Sequence, residues 1–473
     1  MKKEESKGIS VLLNTQYDFV IEGGTVIDPK SELITIANVA IKDGKIAVIT
    51  RADLKAKEKV NASGKIISPG FIDPHCHIDG FLYNGQCYAK MGVTTAITGN
   101  CGFGPYPVKD FIKKINEGFP INHGTLVGHS FDMRTMVGLE DPFKTANANE
   151  ISEMVRIAEE ALEQGALGIS LGLEYAPATT KEEIYSLARL AAKFDKVMPV
   201  HSRSDSWGSV KALREIVKIQ EDTGVRILIS HLTYQNGMGM MKESLPIIEK
   251  AYREGYKIAV DSGAYHAFAT YIGSEVFCDG WLEKYDCIYE DVLVSGGPHI
   301  GKRLNEALYK ELLETDPKTL CTAFVGKEYE VVEAMQQPYV MVSTDGAVGS
   351  HEPGTGHPQD AGTYPKVFGR FVREMNAFST MEAIRKCSLM PAEFFGMENK
   401  GWIGTGADAD IVVFNPKTII DKSEYSGLGI PDAPPEGIDW VFVNGEPVVR
   451  NGELIEDARP GKAICQENKI WTI

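Results

Sequence analysis

The chain has 473 residues, of which 43% are hydrophobic and 24% are charged, and its formal net charge is −16. This is the composition of an ordinary globular protein with a large core, and it excludes extensive disorder. The negative charge argues against nucleic acid and anionic membranes as partners, because both attract basic surfaces. We therefore expect a small-molecule partner, and we leave formation of a homo-oligomer open.

The start of the chain carries only one short apolar run, Val11-Leu12-Leu13, which is too brief for the core of an export signal. No stretch approaches the roughly 18 to 20 apolar residues that span a bilayer. The cysteines are scattered along the chain and show no disulfide framework. We expect reduced thiols and a cytoplasmic protein.

The first predicted elements are short strands between Tyr17 and Ile67. The runs DFVIEGGTVID, ITIANVAIKDGKIAVI and GKIISPG are rich in β-branched residues and are separated by Gly, Asp and Lys turns. This pattern is typical of a small antiparallel sheet.

The middle of the chain alternates short apolar strands with amphipathic helices, as in VTTAITGN, EISEMVRIAEEALEQG, ALGISLGL and KEEIYSLARLAAKF. Repeated strand-helix units predict a parallel sheet that is buried on both faces, and closure into a (β/α)8 TIM-like barrel is the simplest arrangement. An open doubly wound sheet is the alternative, although no GxGxxG motif opens the first unit. Residues 69–402 would form the barrel, and the region around 268–338, which breaks the alternation, would be an insertion.

The most specific motif is PGFIDPHCHID, in which His75 and His77 end a short apolar strand. Residues two apart in a strand point to the same face, so both imidazoles can bind one metal while Cys76 points the other way. An isolated pair of this kind is more often a set of polar residues at a strand end. The metal interpretation therefore depends on further ligands.

Four further candidate ligands follow later strands. Cys101 lies in a Gly-rich turn that can bring a thiolate close to a metal, although a lone cysteine is more often a small buried hydrophobe. His201 ends VMPVH and His231 ends RILISH, and the ends of consecutive barrel strands share one rim. Asp345 ends YVMVSTD, where a buried carboxylate needs a cation.

Metal-capable side chains thus end several separate strands, which predicts a metal centre at the rim of the barrel. Histidine, thiolate and carboxylate suit zinc best, although iron, manganese and cobalt are compatible with the same ligands. We expect zinc at this centre, and hydrolysis by metal-activated water with Asp345 as general base and acid.

The strand pattern returns after Gly404. The runs ADADIVVFN, IDWVFVNGEPVVRNGEL and ICQENKIWTI predict strands, with hairpin turns at Asn444-Gly445 and Asn451-Gly452. Both ends of the chain would then build one small β-sandwich domain, from residues 1–68 and 403–473.

These motifs resemble those of the amidohydrolase superfamily and, within it, of the N-acyl-D-amino-acid deacylases (D-aminoacylases), over nearly the whole chain. PGFIDPHCHID is similar to the HxH strand of the superfamily, and GNCGFG to the metal-cysteine turn of the deacylases. ISLGLEYAP resembles their fourth strand, HPQDAGTYPKVFGR the loop after the catalytic Asp, and GWIGTGADADIVVF the return into the small β-domain. The resemblance implies a hydrolase of carbon–nitrogen bonds other than peptide bonds, acting on an N-acyl-D-amino acid or a related N-acyl compound.

The resemblance also implies a division of the ligands between two sites. His75, His77 and Asp345 would hold one metal. His201 and His231 would hold the other, together with Cys101. Many members of the superfamily bridge two metals with a carboxylated lysine, but ALGISLGLEYAP contains none, so Cys101 would be the bridge. The resemblance therefore implies one or two zinc ions per chain.

Two basic residues with which the deacylases grip a substrate carboxylate are absent. The lysine usual two residues after the strand-end histidine is Thr233 here, and the family's His-Pro-Arg reads His357-Pro358-Gln359. A glutamine cannot replace the bidentate pairing of a guanidinium. Three interpretations stay open: another cation such as Arg203 holds a carboxylate, the substrate is a neutral or cyclic amide, or the acyl part provides most contacts.

Candidate substrate contacts are Arg203, two residues after His201, and Tyr175 and Tyr265, which follow strands. An ordinary salt bridge and ordinary packing explain these residues equally well. The alternative activity is hydrolysis of cyclic amides, as in hydantoinases or dihydroorotases. A non-catalytic relative that keeps the barrel is a third alternative, against which the full set of ligands argues.

Overall fold

The computed structural model describes residues 14–348 and 351–465. The apolar run at residues 11–13 and the predicted strand beyond residue 465 lie outside this range. None of the helices in it combines the length and apolar character that a bilayer-spanning segment needs. All the cysteines are free thiols.

In chain order, the strands are β1 (Gln16–Asp28), β2 (Leu33–Lys42), β3 (Lys45–Thr50), β4 (Lys55–Asn61), β5 (Ile66–Pro69), β6 (Phe71–Asp73), β7 (Val93–Thr98), β8 (Asn122–Thr125), β9 (Val127–Gly128), β10 (Ile169–Gly172), β11 (Val197–His201), β12 (Arg226–Ser230), β13 (Ile258–Ser262), β14 (Phe268–Tyr271), β15 (Val292–Val294), β16 (Leu320–Ala323), β17 (Val340–Val342), β18 (Ile411–Phe414), β19 (Ile438–Val443), β20 (Glu446–Arg450) and β21 (Glu453–Leu454).

The α-helices are Leu82–Lys90, Val108–Glu117, Arg134–Met136, Ala148–Glu163, Lys181–Lys193, Ser209–Thr223, Leu232–Asn236, Met241–Arg253, Trp281–Tyr285, Glu306–Thr315, Glu328–Met335, Gln359–Lys366, Thr380–Ile384 and Met390–Phe394. Wider π-helical turns lie at His129–Met133, Val367–Glu374 and Arg385–Leu389. Single 3-10 turns lie at Ser206–Gly208, Glu275–Phe277, Tyr289–Asp291 and Gly297–His299.

Strands from both ends of the described chain form one nine-stranded sheet, in the order β21-β20-β19-β18-β5-β1-β2-β3 with β4 beside β1. One apolar cluster joins its two parts, since Ile21 and Val39 from the first part pack with Val413 and Phe442 from the second. The predicted shared β-domain is therefore present. Its division from the barrel at residues 68 and 403 stays a prediction.

The prediction that the first part of this sheet is antiparallel is wrong in one respect. β1, β2 and β3 are joined by hairpins and are antiparallel, but β4 and β5 run parallel to β1. The reason is that the chain leaves β3 at one edge and crosses to the other side of β1, so the strands that follow have the direction of β1.

The hairpin turns of the second part are confirmed. Asn444 and Gly445 have φ values of 49° and 83°, and Asn451 and Gly452 have φ values of 52° and 84°. Two successive residues with positive φ form the tight turn that matches the twist of the flanking strands, and Asn-Gly is the sequence that adopts it most readily.

The central unit is a closed barrel of parallel strands. β6, β7 and β8 pair in sequence, and β9, β10, β11, β12, β13 and β17 pair in sequence. Only Leu126 separates β8 from β9, so these two count as one strand of the barrel and join the two sets of paired strands. The circle closes between β17 and β6, where the Asp345 amide donates to the His75 carbonyl at 2.9 Å. The (β/α)8 prediction is confirmed, and the open doubly wound sheet is wrong.

One apolar layer fills the barrel below the carboxyl-end rim. Each barrel strand contributes one residue, either from the strand itself or from the positions just before it: Ile72, Ile97, Leu126, Leu167, Val197, Leu228, Ala259 and Met341. All are buried. Because this layer closes the lower half of the barrel, polar side chains have room only at the carboxyl ends of the strands.

A small subdomain lies between β13 and β17, within the region predicted as an insertion, whose limits at residues 268 and 338 stay a prediction. β14, β15 and β16 form an antiparallel sheet in the order β14-β16-β15. The helices Trp281–Tyr285 and Glu306–Thr315 pack on it in an apolar cluster of their own. Tyr234 from the barrel joins this cluster, so the subdomain lies against the carboxyl-end rim.

Candidate metal centre

The predicted metal ligands all lie at the carboxyl ends of barrel strands, and all are buried. His75 and His77 follow β6, Cys101 follows β7, His201 ends β11, His231 follows β12 and Asp345 follows β17. Their exposed fractions are 0% for His75, 2% for His77, 4% for Cys101, 3% for His201, 6% for His231 and 5% for Asp345. Parallel strands bring these distant positions to one rim.

One group of potential ligands contains His75, His77, Cys101 and Asp345, whose donor atoms lie within 4.8 Å of one another. Asp345 is its centre, because Oδ1 lies 3.2 Å from Nε2 of His75 and 3.2 Å from Nε2 of His77. Cys76 points away from this group, and its Sγ donates to the carbonyl of Ile97 at 3.3 Å. His75 and His77 therefore face one group and Cys76 faces away, as the HxH spacing predicts, although β6 itself ends at Asp73.

A second group contains Cys101, His201 and His231. The Cys101 Sγ lies 3.7 Å from Nδ1 of His201 and 3.9 Å from Nε2 of His231. It also lies 3.4 Å from Nε2 of His75 in the first group. Cys101 is thus the side chain that the two groups share.

Both central anions sit on unusual backbone. Cys101 has a φ of 53° and Asp345 has a φ of 56°, in the left-handed region that side-chain-bearing residues seldom adopt. Such conformations persist where the surrounding structure fixes them, and they are concentrated at functional sites. Here they turn the thiol and the carboxylate into the rim.

The charges of the two anions follow from their surroundings. Burial raises the pKa of the Cys101 thiol, but His75, His201 and His231 outweigh it and hold that pKa well below its usual value. Burial likewise raises the pKa of the Asp345 carboxyl, but His231, His75 and His77 hold it well below the usual range. Both groups are therefore anionic, as metal ligands must be.

The pKa values of two imidazoles are raised, in contrast to those of the two anions. Burial lowers the pKa of His77, but Asp345 and Cys101 together raise it to about 9. Burial lowers the pKa of His201, but Cys101 and Glu174 together raise it to about 10. The buried anions thus draw positive charge to the site, and a metal cation supplies that charge in exchange for protons. The donor set fits zinc, which binds thiolate, imidazole and carboxylate.

Two carboxylates outside these groups orient the histidines. Asp261 Oδ2 lies 3.2 Å from His75 Nδ1 and accepts from the Ser230 hydroxyl at 2.6 Å, while Oδ1 accepts from the Ser343 hydroxyl at 2.8 Å. Carboxylates behind a ligating histidine fix its tautomer and raise its basicity. Asp261 therefore holds His75 with Nε2 toward Asp345 and Cys101.

The substitution Asp261→Asn is expected to weaken zinc binding by about 10-fold to 100-fold, because outer-shell partners of ligating histidines contribute to affinity on that scale. Competition titration against a chromophoric chelator measures the change. Ser343→Ala removes only one hydrogen bond to Asp261 and should have the smaller effect. An unchanged affinity in Asp261→Asn would show that His75 does not need this partner.

Glu174 performs the same task for His201. Its Oε2 lies 3.1 Å from His201 Nε2, and its other oxygen accepts from the Lys284 ammonium of the inserted subdomain. Burial raises the pKa of Glu174, but His201 and Lys284 outweigh it and lower the pKa to about 2. The subdomain is thereby tied to the metal centre through a buried ion pair.

A cavity of about 540 Å³ opens onto the ligands. The barrel and its loops contribute Phe103, Phe131, Tyr175 and Tyr234 to the wall, besides the predicted ligands other than His75. The inserted subdomain contributes residues 268–271, 273–276 and 317–318. The arrangement is a mostly aromatic pocket with a cluster of metal-binding groups at its base, which is the usual form of a small-molecule site.

The amidohydrolase family model matches residues 66–448, which is most of the chain. The chain belongs to the amidohydrolase family.

Among curated relatives, this amidohydrolase is 29% identical to a D-aminoacylase of Alcaligenes xylosoxydans xylosoxydans, over 91% of this chain and 94% of that one. Among solved structures, it matches the N-acyl-D-glutamate deacylase of Bordetella bronchiseptica, complexed with zinc and a phosphonate mimic of the tetrahedral intermediate. That match has a TM-score of 0.86 and 28% identity, over 96% of this chain and 100% of the other. A D-aminoacylase with a binuclear metal centre matches with a TM-score of 0.83 and 27% identity, over 95% and 100%. The resemblance to the D-aminoacylases is confirmed.

Of the three predicted substrate contacts of this amidohydrolase, one is among the described residues that line the cavity and two are not. Tyr175 lines the cavity, with its ring 4.7 Å from that of His201. Tyr265 is not among the described residues that line it, and its hydroxyl donates to Asp421 at 2.9 Å. Its role in contacting substrate is not supported, because the chain after β13 turns that ring toward the helix Gln359–Lys366 and the segment at 421–425.

Arg203 also lies away from the wall. Its guanidinium donates to Glu215 at 2.9 Å and to the carbonyl of Pro177 at 2.9 Å. The prediction that it faces the same side as His201 is wrong, because β11 ends at His201 and period 2 no longer applies beyond that residue. The ordinary salt bridge is the interpretation that the structure favours.

Several polar residues around the site are absent from the predicted set, notably Asp261, Glu174 and Asp205. Asp261 had a usable signal, since IAVDS is an apolar strand that places a carboxylate near its end, as YVMVSTD does. Glu174 and Asp205 lie in irregular segments after β10 and β11, where the sequence pattern gives no direction for a side chain.

Proposed function

We propose that this protein is a zinc-dependent deacylase, which hydrolyses the amide bond of an N-acyl-D-amino acid or a related N-acyl compound. The observation that carries the proposal is the position of Cys101, whose Sγ lies 3.4 to 3.9 Å from His75, His201 and His231 at the base of an aromatic cavity. The similarity to a deacylase that binds zinc and a mimic of the tetrahedral intermediate supports it.

The residues that would hold zinc are the six at the strand ends: His75, His77, Cys101, His201, His231 and Asp345. When bound, zinc polarises the scissile carbonyl and makes water a better nucleophile at neutral pH. The two overlapping groups have room for one or two ions. For the D-aminoacylase relative, one metal is described as activating and a second as attenuating.

Asp345 is the residue that would move the proton. Its Oδ1 is 3.2 Å from both His75 and His77, whereas Oδ2 is 3.4 Å from His231 alone. We assign Oδ2 as the atom that takes a proton from the attacking water and gives it to the departing nitrogen, since an amine must be protonated before it leaves. The backbone of Asp345 is held in place by Gln359, whose Nε2 donates to its carbonyl at 2.6 Å.

The cavity wall would bind the rest of the substrate. Phe103, Phe131 and Tyr175 lie above the ligands, and Phe103 stacks on His77 with ring centroids 4.7 Å apart. Aromatic side chains at these positions exclude water from the reacting atoms and favour apolar acyl or amine groups.

Hydrolysis of cyclic amides is the second candidate, because neutral residues stand at Thr233 and Gln359. Against it, the segment ALGISLGLEYAP around β10 contains no lysine, whereas the hydantoinase type usually carries a carboxylated lysine on this strand. A non-catalytic role fits poorly with six potential ligands gathered at one rim. A cytoplasmic location, a possible assembly of identical subunits and the absence of a nucleic-acid partner belong to the same proposal.

Hydrolysis of a substrate panel tests the function. The zinc-loaded protein is assayed with N-acyl-D-amino acids and N-acyl-L-amino acids, with their uncharged amides, and with hydantoins and dihydropyrimidines. We expect turnover of N-acyl-D compounds, carboxylate-bearing or amidated, and little turnover of the L series. Turnover confined to cyclic amides would replace the deacylase assignment by the second candidate, and no turnover of any compound would contradict both.

A further inference from the structure

We propose that the substrate of this site is an N-acyl compound without a free carboxylate, such as an N-acyl-D-amino acid amide or another N-acyl derivative of an uncharged amine component. The inference rests on the proposed deacylase function and names the substrate class within it. It follows from the acidic side chains that line the cavity and from the lack of a buried basic side chain on its described wall.

The cavity has an acidic rather than a basic lining. Apart from the five predicted metal ligands on its wall, the charged side chains among the described residues that line it are Asp205, Glu275 and Lys318. Asp205 is buried and accepts hydrogen bonds from Gln235 and Tyr285, each at 2.8 Å. Glu275 is partly buried, and Lys318 is exposed. An exposed ammonium is screened by water and holds an anion weakly.

Thr233 and Gln359, which stand where the deacylases carry a basic residue, offer no cation either. Thr233 and Gln359 are each 1% exposed, and neither is among the described residues on the cavity wall. The Thr233 hydroxyl is bonded to that of Ser262. Gln359 accepts from the Tyr234 hydroxyl at 2.9 Å and donates to the Asp345 carbonyl. The side-chain NH2 group of Gln359 is therefore already used in a hydrogen bond to the backbone of Asp345.

Two basic side chains near the cavity, Arg203 and Lys284, are already paired. Arg203 is bound to Glu215 and to the carbonyl of Pro177, and Lys284 is bound to Glu174. Within the described parts of the chain, neither is among the residues that line the cavity. Moving either toward a ligand would break an ion pair, and for Lys284 it would leave a buried carboxylate behind His201 without its cation.

These observations set the relative binding of an acid and its amide. A carboxylate entering this cavity would lose hydration and would meet Glu275 and Asp205. Apart from the metal centre, which the scissile amide would occupy, the described wall offers it no buried cation in return. The matching carboxamide carries no charge to desolvate and fits the aromatic wall formed by Phe103, Phe131 and Phe268. Transition-state binding should therefore favour the amide.

The test compares N-acetyl-D-phenylalaninamide with N-acetyl-D-phenylalanine as substrates of the zinc-loaded protein. In both, water adds across the acetyl C–N bond, which releases acetate and the free amine. Chromatography of acetate separates this reaction from loss of ammonia by the carboxamide. We expect kcat/KM to be about tenfold to a hundredfold higher for the amide, which is the range for one unpaired charge. Equal values, or a preference for the acid, would overturn the inference and leave the deacylase function intact. Release of acetate from neither compound would contradict both.

Two substitutions of cavity residues, Glu275→Gln and Lys318→Met, test which charges cause the preference for the amide. Glu275→Gln should narrow the preference for the amide severalfold, because it removes a carboxylate that repels the acid. Glu283→Gln is the matched control, since it makes the same change at an exposed position of the inserted subdomain outside the cavity. Lys318→Met should change the acid-to-amide ratio by less than about threefold. A selective loss of the acid reaction in Lys318→Met would show that this lysine grips a carboxylate, and would overturn the inference.

Discussion

Asp345→Asn is expected to lower kcat by about a thousandfold or more while zinc remains bound, because the positioned general base and acid contributes on that scale. Asparagine has nearly the size of aspartate and keeps one side-chain oxygen for His75 and His77, but it cannot accept the proton that Asp345 Oδ2 would carry. Steady-state kinetics of acetate release, together with zinc per chain measured by mass spectrometry, separate loss of chemistry from loss of metal.

The matched control for Asp345 is Asp421→Asn. Asp421 is partly buried and accepts from the Tyr265 hydroxyl at 2.9 Å, outside the cavity. This variant should retain kcat, with at most a modest loss of stability. Full activity in Asp345→Asn would refute its assignment as base and acid. A loss of zinc from that variant would show that Asp345 acts chiefly as a ligand.

Cys101→Ala is expected to remove bound zinc and, with it, activity. Cys101 belongs to both groups of potential ligands, so its loss leaves each of them one donor short. Even outer-shell substitutions cost about 10-fold to 100-fold in metal affinity, so loss of this shared thiolate should cost more than about a hundredfold. Zinc per chain after dialysis and kcat measured with added zinc report the two effects.

Cys76→Ala is the control for this variant, because Cys76 is an equally buried thiol whose Sγ points to the carbonyl of Ile97 instead. It should retain zinc and turnover, with a small loss of stability from the cavity that it creates. A Cys101→Ala protein that kept both zinc and full turnover would remove Cys101 from the centre of the site.

Much of the fold follows from patterns that act locally. The alternation of apolar strands and amphipathic helices predicts the barrel because each unit must bury both faces of its strand. The position of His75, His77, His201, His231 and Asp345 at strand ends predicts their meeting, because parallel strands have their carboxyl ends at one rim. The Asn-Gly hairpins likewise depend on two residues and their φ angles.

The features that the sequence did not predict are those that depend on tertiary contacts. The parallel pairing of β4 with β1 is set by a crossing of the chain, not by its strand pattern. The direction of Arg203 is set by Glu215 in the next helix, after the strand period has ended. The inserted subdomain shapes the cavity, but its position over the rim follows from packing with Tyr234 and not from any motif.

The most direct measurement of the central claim is acetate release from an N-acetyl-D-amino acid amide by metal-free protein as zinc is added back. The cluster around Cys101 and Asp345 predicts no turnover in the metal-free protein and a rise in activity with the zinc bound per chain. In Asp345→Asn, added zinc should not restore the activity of the unsubstituted protein at any concentration. Full turnover by the metal-free protein, or a zinc-loaded protein that releases no acetate from any N-acyl-D compound, would contradict the account.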